Sequence, residues 1–296
     1  MKPAPFEYFA PTSIPDALVL MEQYGYDAKL LAGGQSLLPV MNFRLAQPAV
    51  LVDLNDIAEL GALARLEPDG LHVGAMVRQS NLERSQIIAA TLPLLHETMP
   101  HIAHPQIRNR GTLGGSLAHA DPAAELPVIT VALEAQFRLQ QANGERWIKA
   151  EDFYQSLFTT ALQPDEILTE VVIPPPEAHT GCAFLELARR HGDYAQAGVA
   201  ALVTLDDSGA CRRARLVYLN VGEIPMVARQ AAAMLAGEKP APALLDEAAR
   251  HAAGNEIDPA DDVQGTAVYK RHLAYVLGKR ALEQAVIRAQ STLPGS

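Results

Sequence analysis

The sequence is short of cysteine, of basic clusters and of long apolar runs, and each shortage closes off a class of protein. Two cysteines, Cys182 and Cys211, in 296 residues make no disulfide framework and supply only half the usual ligand set of an iron–sulfur cluster. Both lie in segments that read as strands, where a thiol is buried and inert. The formal net charge is −10. Arginines cluster only at Arg108/Arg110, Arg189/Arg190 and Arg212/Arg213/Arg215, too briefly for a phosphate-binding stripe, so no nucleic-acid partner is expected. No apolar run reaches the roughly 18 to 20 residues of a membrane helix, so no membrane span is expected. MKPAPFEYFAP lacks the apolar core of a secretory signal, which points to the cytoplasm. HExxH and CxxC are absent, and His101 and His104 have no Cys or carboxylate at metal spacing. Redox work in this chain would use an organic cofactor.

What is present is an α+β pattern. Ser13 followed by Asp16 is a capping-box-like start, Pro15 fits the first turn, and Gly25 stops the helix. AKLLAG (28–33) and AVLVDL (49–54) read as buried strands around a short helical stretch, SLLPVMNFRLA, which makes a small α/β unit. LHVGAMV (71–77) alternates as a strand, and SNLERS through LLHETM reads as helical. Residues 122–134 read as a helix, and EAQFRLQQ as a strand that Asn143-Gly144 turns back into RWIKAEDF. EILTEVVIPPP ends the block, its proline run at 174–176 marking a boundary. FLELARR and GVAALVTLDDSGACRRARLVYLNVG then give strands around an Asp-Asp-Ser-Gly turn. Helices are expected at about 225–236, 242–253 and 265–289. The expected division is 1–57, 58–176 and 177–296.

Two segments share one design. AGGQSLLP (32–39) follows a strand and GTLGGSLAH (111–119) leads into a helical turn. Paired glycines let a ligand approach main-chain N–H groups without meeting a Cβ, and Ser36, Thr112 and Ser116 offer hydroxyls to phosphate oxygens. Either segment alone is more often a tight turn. Neither matches GxGxxG or GxxxxGK[ST], so Rossmann and Walker readings fail on residue type. Two such loops together point to a phosphate ligand without naming it.

AGGQSLLP with IRNRGTLGGSLAHADPAAELP resembles the FAD-binding medium subunit of bacterial molybdenum hydroxylases, the xanthine dehydrogenase and carbon monoxide dehydrogenase family. The likeness runs through FEYFAPTSIPDAL, VDLNDI, LHVGAMV, DEILTEVVIP and ARRHGDYAQAGVAA, and is close to quinoline 2-oxidoreductase-like enzymes. The resemblance implies a two-lobed FAD-binding domain, with a small α/β lobe and a mainly antiparallel lobe. A C-terminal α+β domain of a short antiparallel sheet with helices would follow. It places Ala32, Gly33, Gly34, Gln35, Ser36 and Leu37 on the FAD pyrophosphate, with Gly111, Thr112, Gly114, Gly115 and Ser116 opposite. His119, Asp121 and Glu125 would meet ribityl and adenosine hydroxyls. Ile102, Ile107 and Leu168 either line the ring edges or are plain core aliphatics. Tyr194 either stacks on the isoalloxazine or is an ordinary strand-edge tyrosine. Arg108 and Arg110 face the cofactor or a partner, or simply form a solvated face.

The implied function is electron transfer, with no catalytic residue of the chain's own. A large partner would carry the molybdenum cofactor and hydroxylate a small, N-heteroaromatic substrate with water. A small partner would carry two [2Fe–2S] clusters that feed FAD here, and an external acceptor would reoxidise it. The implied assembly is a dimer of heterotrimers. Some eukaryotic relatives hold a Lys near the flavin in the segment matching FLELARR; its absence here leaves redox poise and acceptor open. Alternatives are a stand-alone flavoenzyme of the vanillyl-alcohol-oxidase-like fold, a scaffold that has lost FAD, and a nucleotide-binding regulator.

Overall fold

A computed structural model describes residues 2–63 and 65–293. Among the described residues three larger sheets follow one another along the chain, and Tyr154–Ser156 with Thr159–Thr160 make a small two-stranded one. The first holds three parallel strands, with Val50–Asp53 between Glu7–Phe9 and Ala28–Leu31. Parallel neighbours need crossovers, here the helices Ile14–Tyr24 and Leu37–Asn42. The first helix begins as its sequence dictates: the Ser13 hydroxyl accepts the Asp16 N–H at 3.3 Å. It buries Ala17, Leu18 and Met21 on one stripe. Val50, Leu51 and Val52 are all buried, as befits a central parallel strand covered on both faces.

The second sheet is antiparallel, with strands in the order Arg65–Glu67, Gly70–Gly74, Ile167–Ile173, Gln136–Gln141 and Gly144–Lys149. The helical stretch before the second glycine loop is three short helices rather than one: Gln79–Arg84, Gln86–Thr91 and Pro93–Thr98. Ser85 restarts the helix by accepting the Ile88 N–H at 3.4 Å. Pro93 removes the next N–H and enforces the second break. The Asn143-Gly144 hairpin signal is displaced by one residue: Gly144 pairs with Gln141, and Ala142–Asn143 make the turn. LHVGAMV ends as a strand at Gly74, because Ala75 to Val77 peel away to bind the second glycine loop.

The third sheet holds Thr180–Ala188, Ala195–Leu205, Cys211–Leu219 and the short Met226–Val227. The last of these takes the start of the stretch expected to be helical from 225, and that helix runs only Arg229–Leu235. Asp206 closes the Asp-Asp-Ser-Gly turn by accepting the N–H groups of Ser208 (2.9 Å) and Ala210 (3.0 Å). Helices Pro242–Asn255 and Ala267–Gln290 follow, and the longer one lies across the first two strands of this sheet. Cys182 and Cys211 are buried strand residues, each thiol pushed up to about 11, chiefly by burial. That makes both inert at neutral pH.

The helix Glu125–Ala132 is buried at all eight positions, and it packs against both the Ala195–Leu205 and Cys211–Leu219 strands. The second and third sheets therefore share one core, in which Phe137, Val171 and Leu126 meet Phe184, Val217 and Leu219.

Arg108 sets where the second glycine loop begins. The side chain is 6% exposed. Its Nε and Nη2 donate to the two Glu83 oxygens, both at 2.9 Å. Nη1 donates to the carbonyls of Ile102 (2.9 Å) and Ala103 (3.1 Å). Arg108 therefore faces the protein interior, whereas the Arg110 side chain is exposed. Arg108→Ala leaves Glu83 and two carbonyls without their donor and should cost about 3 kcal/mol of stability. Arg110→Ala should stay within ~0.5 kcal/mol. Denaturant unfolding of both variants checks the contrast, and equal costs would remove the structural role given to Arg108.

Candidate functional site

The first glycine loop, Ala32–Leu37, leaves the carboxyl end of the strand Ala28–Leu31 and turns at Gly34, whose φ is +72°. The second runs from Gly111 into the helix Leu113–His119. The two touch backbone to backbone. A Cβ on Gly33 would lie 2.3 Å from the Arg110 carbonyl oxygen and 2.8 Å from the Gly111 Cα. A Cβ on Gly115 would lie 2.7 Å from Thr112 Oγ1 and 3.1 Å from the Ala32 methyl. Glycine at these two positions is demanded by loop-on-loop packing, a reason that neither loop discloses by itself.

The loops use their N–H groups differently. In the second, Gly111 donates to the Ile107 carbonyl (2.7 Å), Leu113 to Val77 (3.0 Å) and Gly114 to Ala75 (2.7 Å). Gly115 donates to Thr112 Oγ1 at 3.1 Å, so this buried threonine is the helix cap. In the first loop, no described residue accepts the N–H of Gly33, Gly34, Gln35, Ser36 or Leu37. Gln35 Nε2 instead braces the loop from within, donating to the Gly33 carbonyl at 2.9 Å. Successive bare amides on a half-buried turn form an anion-binding concavity.

Two residues that the sequence reading passed over join the loops. Arg78 donates through Nη1 to the Arg110 carbonyl and through Nη2 to Asn55 Oδ1 at 2.6 Å. Asn55 Nδ2 donates to the Ala32 carbonyl at 3.0 Å. Arg78 also forms a β-bridge with Thr112. Partial burial, then the neighbouring Arg110 charge, lower its pKa against the opposing pull of Asp53. VDLNDI carries Asn55 on a recognisable strand end, but nothing local marks Arg78.

Beyond the second loop the helix stops at Ala120, in the left-handed region at φ +52°. Asp121 Oδ1 then accepts the Ala123 N–H at 2.9 Å. Glu125 opens the buried helix and is 7% exposed. Burial first, then the Glu186 charge and then Asp121, push its carboxyl up to about 8. One Glu186 oxygen lies 3.3 Å from His101 Nδ1, and its other oxygen is buried without a hydrogen-bond partner among the described residues. Tyr194 immediately precedes the strand Ala195–Leu205 and is 59% exposed. Partial burial, then the charges of Asp121 and Glu125, raise its pKa, and Asn220 bonds both to Pro122 beside Asp121 and to Ala195 beside Tyr194.

The remaining candidates separate. Ser116 and His119 are half-buried on the capped helix, and the His119 ring lies 5.2 Å from that of Phe158. Ile107 is half-buried, and its carbonyl anchors the second loop. Ile102 and Leu168 lie in the shared core of the second and third sheets. The site thus brings together Ala32–Leu37, Gly111–Ser116, Asp121, Glu125 and Tyr194 from three stretches of chain.

Comparison with known proteins agrees with this architecture. Residues 4–176 match the family model of the FAD binding domain in molybdopterin dehydrogenase, and residues 182–285 match the CO dehydrogenase flavoprotein C-terminal domain. The chain is 42% identical over 292 residues to the 6-hydroxypseudooxynicotine dehydrogenase complex subunit alpha of Paenarthrobacter nicotinovorans, covering 99% of this chain and 98% of that one. Among solved structures, carbon monoxide dehydrogenase from Hydrogenophaga pseudoflava, in a form lacking the Mo-pyranopterin moiety, superposes with a TM-score of 0.94. That match is at 41% identity and covers 97% of this chain and 99% of the other. Quinoline 2-oxidoreductase from Pseudomonas putida 86 superposes with a TM-score of 0.92 at 36% identity, covering 99% and 100%. No helix among the described residues is long and apolar enough to cross a membrane. The chain belongs to the molybdopterin dehydrogenase family, as a flavoprotein subunit with that family's FAD-binding domain at its N-terminal side.

Proposed function

We propose that this chain is the FAD-binding electron-transfer subunit of a heteromeric molybdenum hydroxylase. Two [2Fe–2S] clusters on a small partner deliver electrons here, and an external acceptor removes them. A large molybdenum-cofactor partner hydroxylates a small N-heteroaromatic substrate, and the assembly is a dimer of heterotrimers. Similarity to a quinoline oxidoreductase supports that substrate class. Bound FAD supplies the redox chemistry, taking electrons one at a time and releasing them as a pair.

The single observation that carries the reading is the run of bare amides from Gly33 to Leu37, wedged open by the second loop. A pyrophosphate satisfies those donors, and the Arg78 charge behind them offsets its negative charge. Gly111, Thr112 and Gly114 act as the wall that fixes the first loop, with Gly115 and Ser116 closing the opposite side. His119, Asp121 and Glu125 lie along the route of the sugar and ribityl hydroxyls. A carboxyl held at about 8 is neutral at pH 7, so Glu125 both donates and accepts there. Tyr194 covers the flavin face, and Ile102, Ile107 and Leu168 support the ring edges from behind.

Gly33→Val forces the loops apart where the present gap admits no methyl. Overpacking of this kind costs about 1–3 kcal/mol, well inside the ~5–15 kcal/mol stability of a typical domain. The purified variant should keep its far-ultraviolet circular dichroism and cooperative unfolding while bound FAD falls at least tenfold. Wild-type flavin content would sink the cradle.

Glu125 gives a pH test. Its folded value, about 8, lies above its ordinary 4.5, so between the two the folded chain holds a proton that the unfolded chain has lost. Stability is whole below the lower value and declines as pH rises towards the upper one. Glu125→Gln has no such proton and should flatten the fall in Tm between about pH 5 and pH 8. Identical slopes in variant and wild type would show that Glu125 titrates as an ordinary carboxyl.

A further inference from the structure

Asn220 ends the strand Cys211–Leu219 and holds three separate parts of the molecule at once. Its φ is +55°, a left-handed conformation that asparagine tolerates better than most side chains. Its main-chain N–H donates to the Pro122 carbonyl at 2.8 Å, immediately after Asp121. Its side-chain Nδ2 donates to the Ala195 carbonyl at 2.6 Å, immediately after Tyr194, and more weakly to Gln196 at 3.3 Å. Its Oδ1 accepts from Lys270 Nζ at 3.4 Å.

Lys270 is 3% exposed, and a lysine this buried requires a partner. It donates to Asp262 Oδ2 at 2.6 Å. Burial works against the Asp262 carboxylate, but Lys270 and the N–H groups of Gln264 and Gly265 outweigh it and hold its pKa below the ordinary value. The ion pair thus fixes which way the Asn220 amide points: with its oxygen on the ammonium, its NH2 must face Ala195. The Gln264 carbonyl adds a second tie, accepting from Gln196 Nε2.

We propose that Asn220, oriented by the buried Lys270–Asp262 pair, is a positioning residue that holds Tyr194 against the Asp121–Glu125 segment. The C-terminal domain in this way sets the geometry of a residue at the cofactor site. The proposal rests on the reading of Tyr194 as the residue covering the flavin. Without the amide, the Ala195 and Gln196 carbonyls lose the donor that ties them to the residue bonded to Pro122, and the backbone beside the largely exposed Tyr194 ring is left to the pairing of Ala195 with Ala188.

The test uses the intact complex carrying Tyr194→Ala, Asn220→Gly or both. Glycine keeps the left-handed backbone and the N–H to Pro122 and removes only the side-chain link. FAD per complex should stay at the wild-type level in all three. The flavin midpoint potential of Asn220→Gly should shift in the same direction as that of Tyr194→Ala, by at least half as much. The double variant should shift no further than Tyr194→Ala, because the two changes act through one ring. A wild-type potential in Asn220→Gly beside a shifted Tyr194→Ala would overturn the positioning role alone, as would additive shifts in the double variant. An unmoved potential in Tyr194→Ala would remove the flavin role of Tyr194 and the proposal with it. If Asn220→Gly does not assemble, Asn220→Ala, which removes the donor without adding a charge, carries the same comparison.

Discussion

Everything about the site depends on one contact, the backbone of Gly33 against the carbonyl of Arg110 and the Cα of Gly111. It joins the parallel first sheet to the antiparallel second sheet with no side chain between them. Its closeness leaves no room for a side chain at Gly33, and the amides that follow, as far as Leu37, have no described acceptor. A pocket for an anion is usually described by what it offers; this one is equally defined by what its scaffold denies the loop. Arg78, reaching both Arg110 and Asn55, makes the contact bidirectional, since displacing either loop pulls on the same guanidinium.

The two glycine loops are therefore unequal. Each carries paired glycines and small hydroxyls, and from residue types alone they look like matching halves of a cradle. The second loop has already spent the amides of Gly111, Leu113, Gly114 and Gly115 on Ile107, Val77, Ala75 and its own Thr112. It contributes rigidity, and the first contributes donors. Thr112 shows the difference most directly: its hydroxyl suits a phosphate oxygen, but the first turn of its own helix claims it.

What was legible in the sequence was local. The Ser13 cap, the buried cysteines in strands and both glycine loops depend on neighbours a few positions away. The Asn143-Gly144 turn slipped by one residue because cross-strand register, rather than the dipeptide, decides which pair turns. Residues 226–227 became a strand because the edge of the third sheet was open beside them. Arg78 could not be read at all, since its partners lie 32 and 23 positions away. Arg108 was ambiguous for the same reason: Glu83, 25 positions earlier, turns it inward. Glu125 was legible as a carboxylate but not as a neutral acid, because the burial that raises it comes from tertiary packing of its helix, and Glu186, the next cause, lies on a distant strand.

The first sheet has one further property. Its small core, built on Val50, Val52, Leu54 and Ile57, is completed by Met76 and Ile167 from outside the N-terminal segment. Ile167 opens a strand whose later residues, Leu168, Val171 and Ile173, fill the shared core of the other two sheets. As the chain emerges during synthesis, its N-terminal lobe cannot close until Ile167 has been made. Until then the lobe has an unsealed apolar side, and closing it is a long-range step, slow by nature. The FAD-binding region is thus one cooperative folding unit that finishes last at the point where it began.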